Sequence, residues 1–207
     1  MDVIADLAGI EPGSPLAAIR ERRLQARENA QASYAALFEP ADTSAMSLAE
    51  RLAVATFVAS LHGQAETRDF YAAKLLETDA ALAKAVSAEA EHGATHGPYG
   101  AYPKGPLSTE DKAGPHYIPA DADALGPRLA AAFAHVHLLV FRPRDSNAAA
   151  LQALLDAGWS TTGIVTLSQL VAFLAFQLRL AWGLRVLAAA GPADAEASAL
   201  STEGAIR

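Results

Sequence analysis

Almost nowhere along this chain do the β-branched residues that favour a strand gather into a run. Alanine and leucine dominate instead, and they carry the highest helix propensities. The expected fold class is therefore all-α. At 207 residues the chain suits one medium domain or two small fused halves. A chain of this length buries roughly 70% of the surface its unfolded state exposes, so its core needs no covalent staple.

Punctuation residues divide the helical pattern. After the segment 1–13, broken by 9-GIEPG-13, Ser14 is placed to cap a helix whose first residue is Pro15, where a missing N–H costs nothing. Apolar residues from Leu16 to Leu37 keep a helical period until Pro40 ends it. Ser47 and Glu50 form a capping box that opens an apolar helix ending near Gly63. Helices are then expected from Ala65 to Leu76, Asp79 to Glu91, Asp123 to Phe141 and Asn147 to Ala157. A long last one runs from 160-STTG-163 to Ala190, followed by a small, polar tail over 191–207. Two helices end in Phe-x-Pro (38-FEP-40 and 141-FRP-143) and each is followed by a Ser-capped apolar helix, at Ser47 and at Ser160, the second after an extra helix, an echo that fits two degenerate helical repeats.

The segment 93–120 breaks this character. It is rich in glycine and proline and carries His96, His116, Tyr99, Tyr102 and Tyr117. A loop that long inside a compact domain usually has a task, and its aromatic content favours packing on a pocket mouth or a neighbouring subunit.

Charge and cysteine usage exclude several classes of function. A formal net charge of −7 argues against sequence-independent phosphate contacts, so no nucleic-acid partner is expected. The chain has no cysteine, which removes disulfides, thiolate metal sites and thiol catalysis. The acidic first residues lack the basic and apolar regions of a signal peptide. The apolar run from Ile164 to Ala190 is interrupted by Gln169, Gln177, Arg179 and Arg185, which reads as a core helix rather than a membrane span. A cytoplasmic protein with no membrane partner is the expectation.

The run 47-SLAERLAVATFVASLH-62 and the segment 154-LLDAGWSTTGIVTLSQLVAFLAFQLRLAWGL-184 resemble the carboxymuconolactone decarboxylase (CMD) or AhpD-like superfamily, nearest its peroxidase-related and "CMD domain protein" branches. The resemblance covers most of residues 15–190 and implies an AhpD-like helical bundle over 14–190. It also implies a homo-oligomer, most often a trimer or a hexamer. Peroxidase members of that superfamily carry Glu, eleven residues, Cys, two residues, Cys, three residues, His. Glu50 matches the glutamate, while His62 and Ala65 stand at the cysteine positions and Asp69 at the histidine position. The dithiol that would reduce a peroxide is absent, so the resemblance implies ancestry without thiol redox chemistry.

These residues suggest two classes of function. In the first, Glu50 and His62 move protons on a small carboxylate- or lactone-like substrate, with Arg179, Asp69 and Glu66 binding it. In the second, the chain binds a small molecule without turnover or serves as an oligomeric scaffold. His62, Glu66 and Asp69 have the spacing of one helix face, although Gly63 argues against an unbroken helix. Glu50 and His62 lie about 120° apart around a straight helix, so a chain turn near Gly63 would have to bring them together. Arg179 is the odd charge among Phe176, Leu178, Leu180 and Trp182 and could grip an acidic ligand or snorkel. Arg142 and Arg144 flank a helix start, read as capped by Asp145 or Ser146, that could hold an anion. Trp159 is expected to pack a helix corner. The histidines at 92, 96, 116, 135 and 137 stand in no ligand-spaced motif, so neither a metal nor another cofactor is expected.

Overall fold

The computed structural model describes residues 2–203, with side chains through residue 190. The chain is all-α: among the described residues there are nine α-helices and no strand. They are α1 (Val3–Ala8), α2 (Pro15–Glu21), α3 (Leu24–Phe38), α4 (Leu48–Leu61), α5 (Ala65–Thr78), α6 (Ala80–His92), α7 (Ala122–Phe141), α8 (Ala148–Asp156) and α9 (Thr161–Glu203). The tail read from residue 191 falls beyond the described side chains, and residues 204–207 lie outside the described chain.

Capping accounts for most helix starts. Ser14, Ser47, Asp79, Asp121 and Asn147 each accept a backbone N–H of the first turn through a side-chain oxygen, satisfying a donor that has no intrahelical partner. The cap of α8 is Asn147, where the sequence pointed to Asp145 or Ser146. The single helix expected from Ser14 to Phe38 is two. At Arg22 and Arg23 the amides bond the carbonyls of Ile19 and Arg20 at 3.2 and 3.0 Å, a tightened i→i−3 pattern that ends α2 and restarts the chain as α3. Within α7, Gly126 adopts φ 72° and kinks the helix, so Pro127 opens the long second part.

The chain divides into two compact units, Met1–Ser33 with Phe176–Arg207, and Tyr34–Ala175. In the first, the residues from Asp2 onward are held by side-chain contacts. Asp2 caps α1 and pairs with Arg20 at 2.9 Å, Gln31 accepts the amide of Val3 at 2.9 Å, and Arg185 donates to the Leu7 carbonyl at 2.9 Å. Val3 and Ile4 are fully buried. Two short apolar residues behind an Asp cap, with Gly9 in the left-handed region as C-cap, were the available signal.

In the second unit α4 is the core helix, packed on α5, α6 and α7. Every residue from Arg51 to Ala59 is buried, which a helix apolar on all sides requires. Phe57 stacks on Phe133 of α7 with ring centroids 4.2 Å apart, and Phe38 stacks on Tyr71 of α5 at 4.9 Å. Buried Arg51 donates to the carbonyls of Leu37 and Met46 at 2.7 and 2.9 Å, so it closes the last turn of α3 with charge-assisted bonds. By length and composition α7 and Thr161–Ala190 of α9 could each cross a membrane, yet half of each apolar window is buried within the protein.

Candidate functional site

Glu50 is committed to structure through both carboxylate oxygens. One accepts the amide of Ser47 at 2.8 Å to complete the capping box, and the other accepts Nε of Arg128 at 2.9 Å. Arg128 also donates to the carbonyls of Gly158 and Ala45 at 2.7 and 3.3 Å, and lies over the Trp159 ring at 4.3 Å. Trp159 returns a bond from its indole N–H to the Arg128 carbonyl at 2.9 Å. The Ala-Gly-Trp-Ser turn is thus held to the start of α4 by one arginine, and Trp159 packs the corner expected of it.

Within the unit that holds Glu50, the other residues singled out from sequence do not converge on it. His62 is the C-cap of α4 while Glu50 lies in its first turn, so the pair is separated by about 18 Å along the axis at 1.5 Å per residue. The turn at Gly63, φ 65°, leads into α5 and does not fold back to Glu50. Glu66 and Asp69 are exposed on α5, and Asp69 accepts from Arg68 at 2.8 Å. Arg179 is exposed and belongs to the other compact unit. No proton-transfer pair of Glu50 with His62 is assembled within α4.

The structure instead concentrates polar chemistry around the 93–120 segment, which is a tied strap. Its end is fastened by Glu89 of α6, a carboxylate only 1% exposed. Glu89 accepts the Tyr117 hydroxyl at 2.5 Å and the amides of Ala120 and Asp121 at 3.1 and 2.6 Å. Burial pushes the Glu89 carboxyl upward, but these hydrogen bonds outweigh it and hold the group below its ordinary range. Burial, the bond to Glu89 and its charge together raise the Tyr117 phenol far above its usual value, so it stays a donor. The Tyr117 ring stacks on His137 at 4.8 Å and 16°.

His137 is buried and meets the Gly93 carbonyl through Nε2 at 3.0 Å. A carbonyl can only accept, so Nε2 carries the proton and the partnerless Nδ1 is the lone-pair nitrogen. Burial lowers its pKa, with the charges of Arg142 and His92 adding to that and the Gly93 bond opposing it. His135 is lowered by burial alone.

At the strap's middle, Gly100 and Lys112 exchange two backbone hydrogen bonds, and Arg144 donates to the carbonyls of Tyr99 and Gly100 at 3.3 Å. Tyr99 lies so close under Gly114 that a Cβ there would meet its ring and Cβ at 2.4–2.6 Å. Glycine is required by this approach. Between the strap and the end of α7 lies a cleft of about 290 Å³ lined by Asp111, Lys112, His116, Arg142 and Asp145 among others.

Arg142 is the unusual member of this cleft. It is only 6% exposed, and its Nη1 is 3.4 Å from Asp145. Its two Nη atoms face the two ring nitrogens of His116 at 3.1 and 3.2 Å, and its Nε is buried without a partner. A nearly buried guanidinium whose fork opens on a cleft can recognise a planar, two-oxygen anion. The sequence marked Arg142 and the strap separately. It could not join them, because His116 and Arg142 lie 26 residues apart with no shared motif. Arg128, which the sequence did not mark, is tied to Glu50 over 78 residues. Among the described residues no three His, Asp or Glu side chains are grouped to hold a metal ion.

No family model, no curated protein and no solved structure matches the chain.

Proposed function

We propose that this chain is a cysteine-free relative of the carboxymuconolactone decarboxylase superfamily that binds a small carboxylate in the cleft beneath its 93–120 strap. The carrying observation is Arg142, a guanidinium almost removed from water that lines the cleft and whose ion-pair partner Asp145 stands at 3.4 Å. Keeping such a charge desolvated is costly unless it is well paired, and Asp145 at that distance pairs it poorly. A bound carboxylate offers two acceptors where the fork has two donors.

A second reading, acid–base turnover of a lactone-like acid, draws on the same cleft. Imidazole and carboxylate groups (His116, Asp111, Asp145) stand beside the guanidinium, as general acid–base chemistry needs. Glu50 and His62 contribute little to this reading, since they are at opposite ends of α4.

A thermal-shift and calorimetric titration with acetate and lactate against chloride at equal ionic strength tests the binding reading. Binding abolished in Arg142→Ala and retained in Arg179→Ala supports it, with folding of both variants checked by circular dichroism. Equal binding by Arg142→Ala, or binding lost only in Arg179→Ala, overturns it.

We further propose a homo-oligomer, as the superfamily resemblance implies. Its support is an apolar stretch of α9 in which Phe176, Trp182 and Val186 are 46%, 54% and 47% exposed, surface of the kind a subunit contact would cover. Native mass spectrometry reads the subunit number, and a monomer at micromolar concentration would rule this out.

A further inference from the structure

The geometry points to His116 as a placeholder in the Arg142 fork, displaced when a monocarboxylate bearing a hydroxyl or amino group enters the cleft. This rests on the carboxylate-binding reading and adds to it a mechanism and a ligand class.

The argument starts from the two distances between the guanidinium and the imidazole. Nη1 lies 3.1 Å from Nε2 of His116, and Nη2 lies 3.2 Å from Nδ1. That edge-to-fork arrangement is how a carboxylate meets an arginine. A neutral imidazole has one N–H and one lone pair, so it can accept only one of the two donors. The other contact sets N–H against N–H. A protonated imidazole accepts neither. His116 therefore holds the place of a two-oxygen acceptor while satisfying half of it.

The two residues also differ in access. Arg142 is buried, whereas His116 is exposed, on an irregular stretch between the Gly100–Lys112 bridge and the Tyr117 anchor. The imidazole can swing into water while the guanidinium stays, because Tyr117 remains fastened to Glu89 behind it. The partnerless Nε of Arg142 is a second, independent sign of an incomplete site.

The charges around the cleft set the class of ligand. Two cations, Arg142 and Lys112, and two carboxylates, Asp111 and Asp145, line the cleft, each aspartate accepting one backbone amide through Oδ1. One negative group can pair with the fork once His116 leaves, but a dianion would meet two aspartates. Those aspartates suit a ligand that also presents a donor, so lactate or glycine is a better probe than acetate, and acetate better than inorganic phosphate.

Displacement predicts an unusual mutational sign. If His116 occupies the fork in about nine-tenths of molecules, His116→Ala tightens lactate binding roughly tenfold, because the closed state no longer taxes affinity. Were His116 a ligand-binding group, the same substitution would weaken binding. Calorimetry of the full chain with lactate, glycine, acetate and phosphate, for the parent and His116→Ala, reads the sign directly. The His116 Cε1–H signal in a carbon-edited spectrum, assigned by its absence in the variant, should move on saturation with lactate as the ring leaves the guanidinium.

Tighter binding in His116→Ala together with a shifted His116 signal supports the proposal. Weaker or equal binding overturns it while leaving carboxylate recognition standing, and so does phosphate binding better than lactate. No binding of any probe by either protein overturns the carboxylate-binding reading itself, and this proposal with it.

Discussion

Nε of Arg128 donates to Oε1 of Glu50 at 2.9 Å, across 78 residues of sequence, and Glu50 has no carboxylate oxygen left outside a structural bond. The glutamate that invites comparison with a catalytic one works here as a joint between the first turn of α4 and the Ala-Gly-Trp-Ser turn. Glu50→Ala should cost about 1–2 kcal/mol, mostly through the lost cap. Glu50→Gln keeps the cap and should cost less. Arg128 is 35% exposed, so solvent screening keeps the Glu50–Arg128 coupling to about 0.5–1 kcal/mol in a double-mutant cycle. Urea denaturation of the single and double variants reads all three quantities, and lactate binding should be unchanged in Glu50→Gln.

Tyr117→Phe tests the strap's anchor. The substitution removes the strongest neutral donor to a carboxylate that is 1% exposed and leaves it two backbone amides. A loss of about 1–3 kcal/mol is expected, since one lone pair of a buried charge goes unmet. The ring stack on His137 should survive, because the phenyl ring remains. Hydrogen exchange should quicken at Ala120 and Asp121, whose amides share the same acceptor, before it quickens in α4.

Acid should weaken the protein in two stages. His135 and His137 have folded pKa values lowered chiefly by burial. Below an unfolded value of about 6.5 the unfolded chain binds protons that the folded one refuses, so stability falls with pH until the folded values are reached. Glu89 is also held below its ordinary value. Its contribution is present above an unfolded pKa of about 4.3 and is lost as pH falls through the lower folded value. Stability curves from pH 8 to pH 3 should therefore bend first near neutrality and again in the carboxylate range. The second bend should flatten in Glu89→Gln and the first in His135→Asn or His137→Asn.

Residues whose meaning is local were legible in the sequence. Ser14 and Ser47 stand before helices whose first-turn amides they accept, because a cap and its acceptor are three residues apart and leave a spaced pattern. The apolar period marked α4 and α7 for the same reason. The break at Arg22 and Arg23 was not legible, since no glycine or proline accompanies it. Nor was the cleft. Asp111 and His116 come from the strap and Arg142 and Asp145 from the turn after α7, and only the strap's path brings them together. Long-range ion pairs such as Arg128 with Glu50 carry no spacing to recognise.

Two glycines of α9 should respond in opposite directions to alanine, which separates steric fit from helix propensity. On propensity alone each Gly→Ala in a helix gains about 0.5–1 kcal/mol. At Gly183 a Cβ would meet nothing within 4 Å, so propensity acts unopposed and Gly183→Ala should raise the melting temperature. At Gly163 the added Cβ would stand 2.8 Å from the Ala45 carbonyl oxygen and 3.0 Å from the Trp159 ring. The Ala45 carbonyl is backbone and also accepts Arg128, while Trp159 is buried and tied to the same arginine. Neither neighbour can give way without disturbing the joint, and overpacking of this kind costs about 1–3 kcal/mol. Gly163→Ala should therefore lower the melting temperature despite its better propensity. Differential scanning calorimetry of the two variants checks both signs, and a stabilised Gly163→Ala would show that the Ala45–Trp159 corner is looser than these contacts imply.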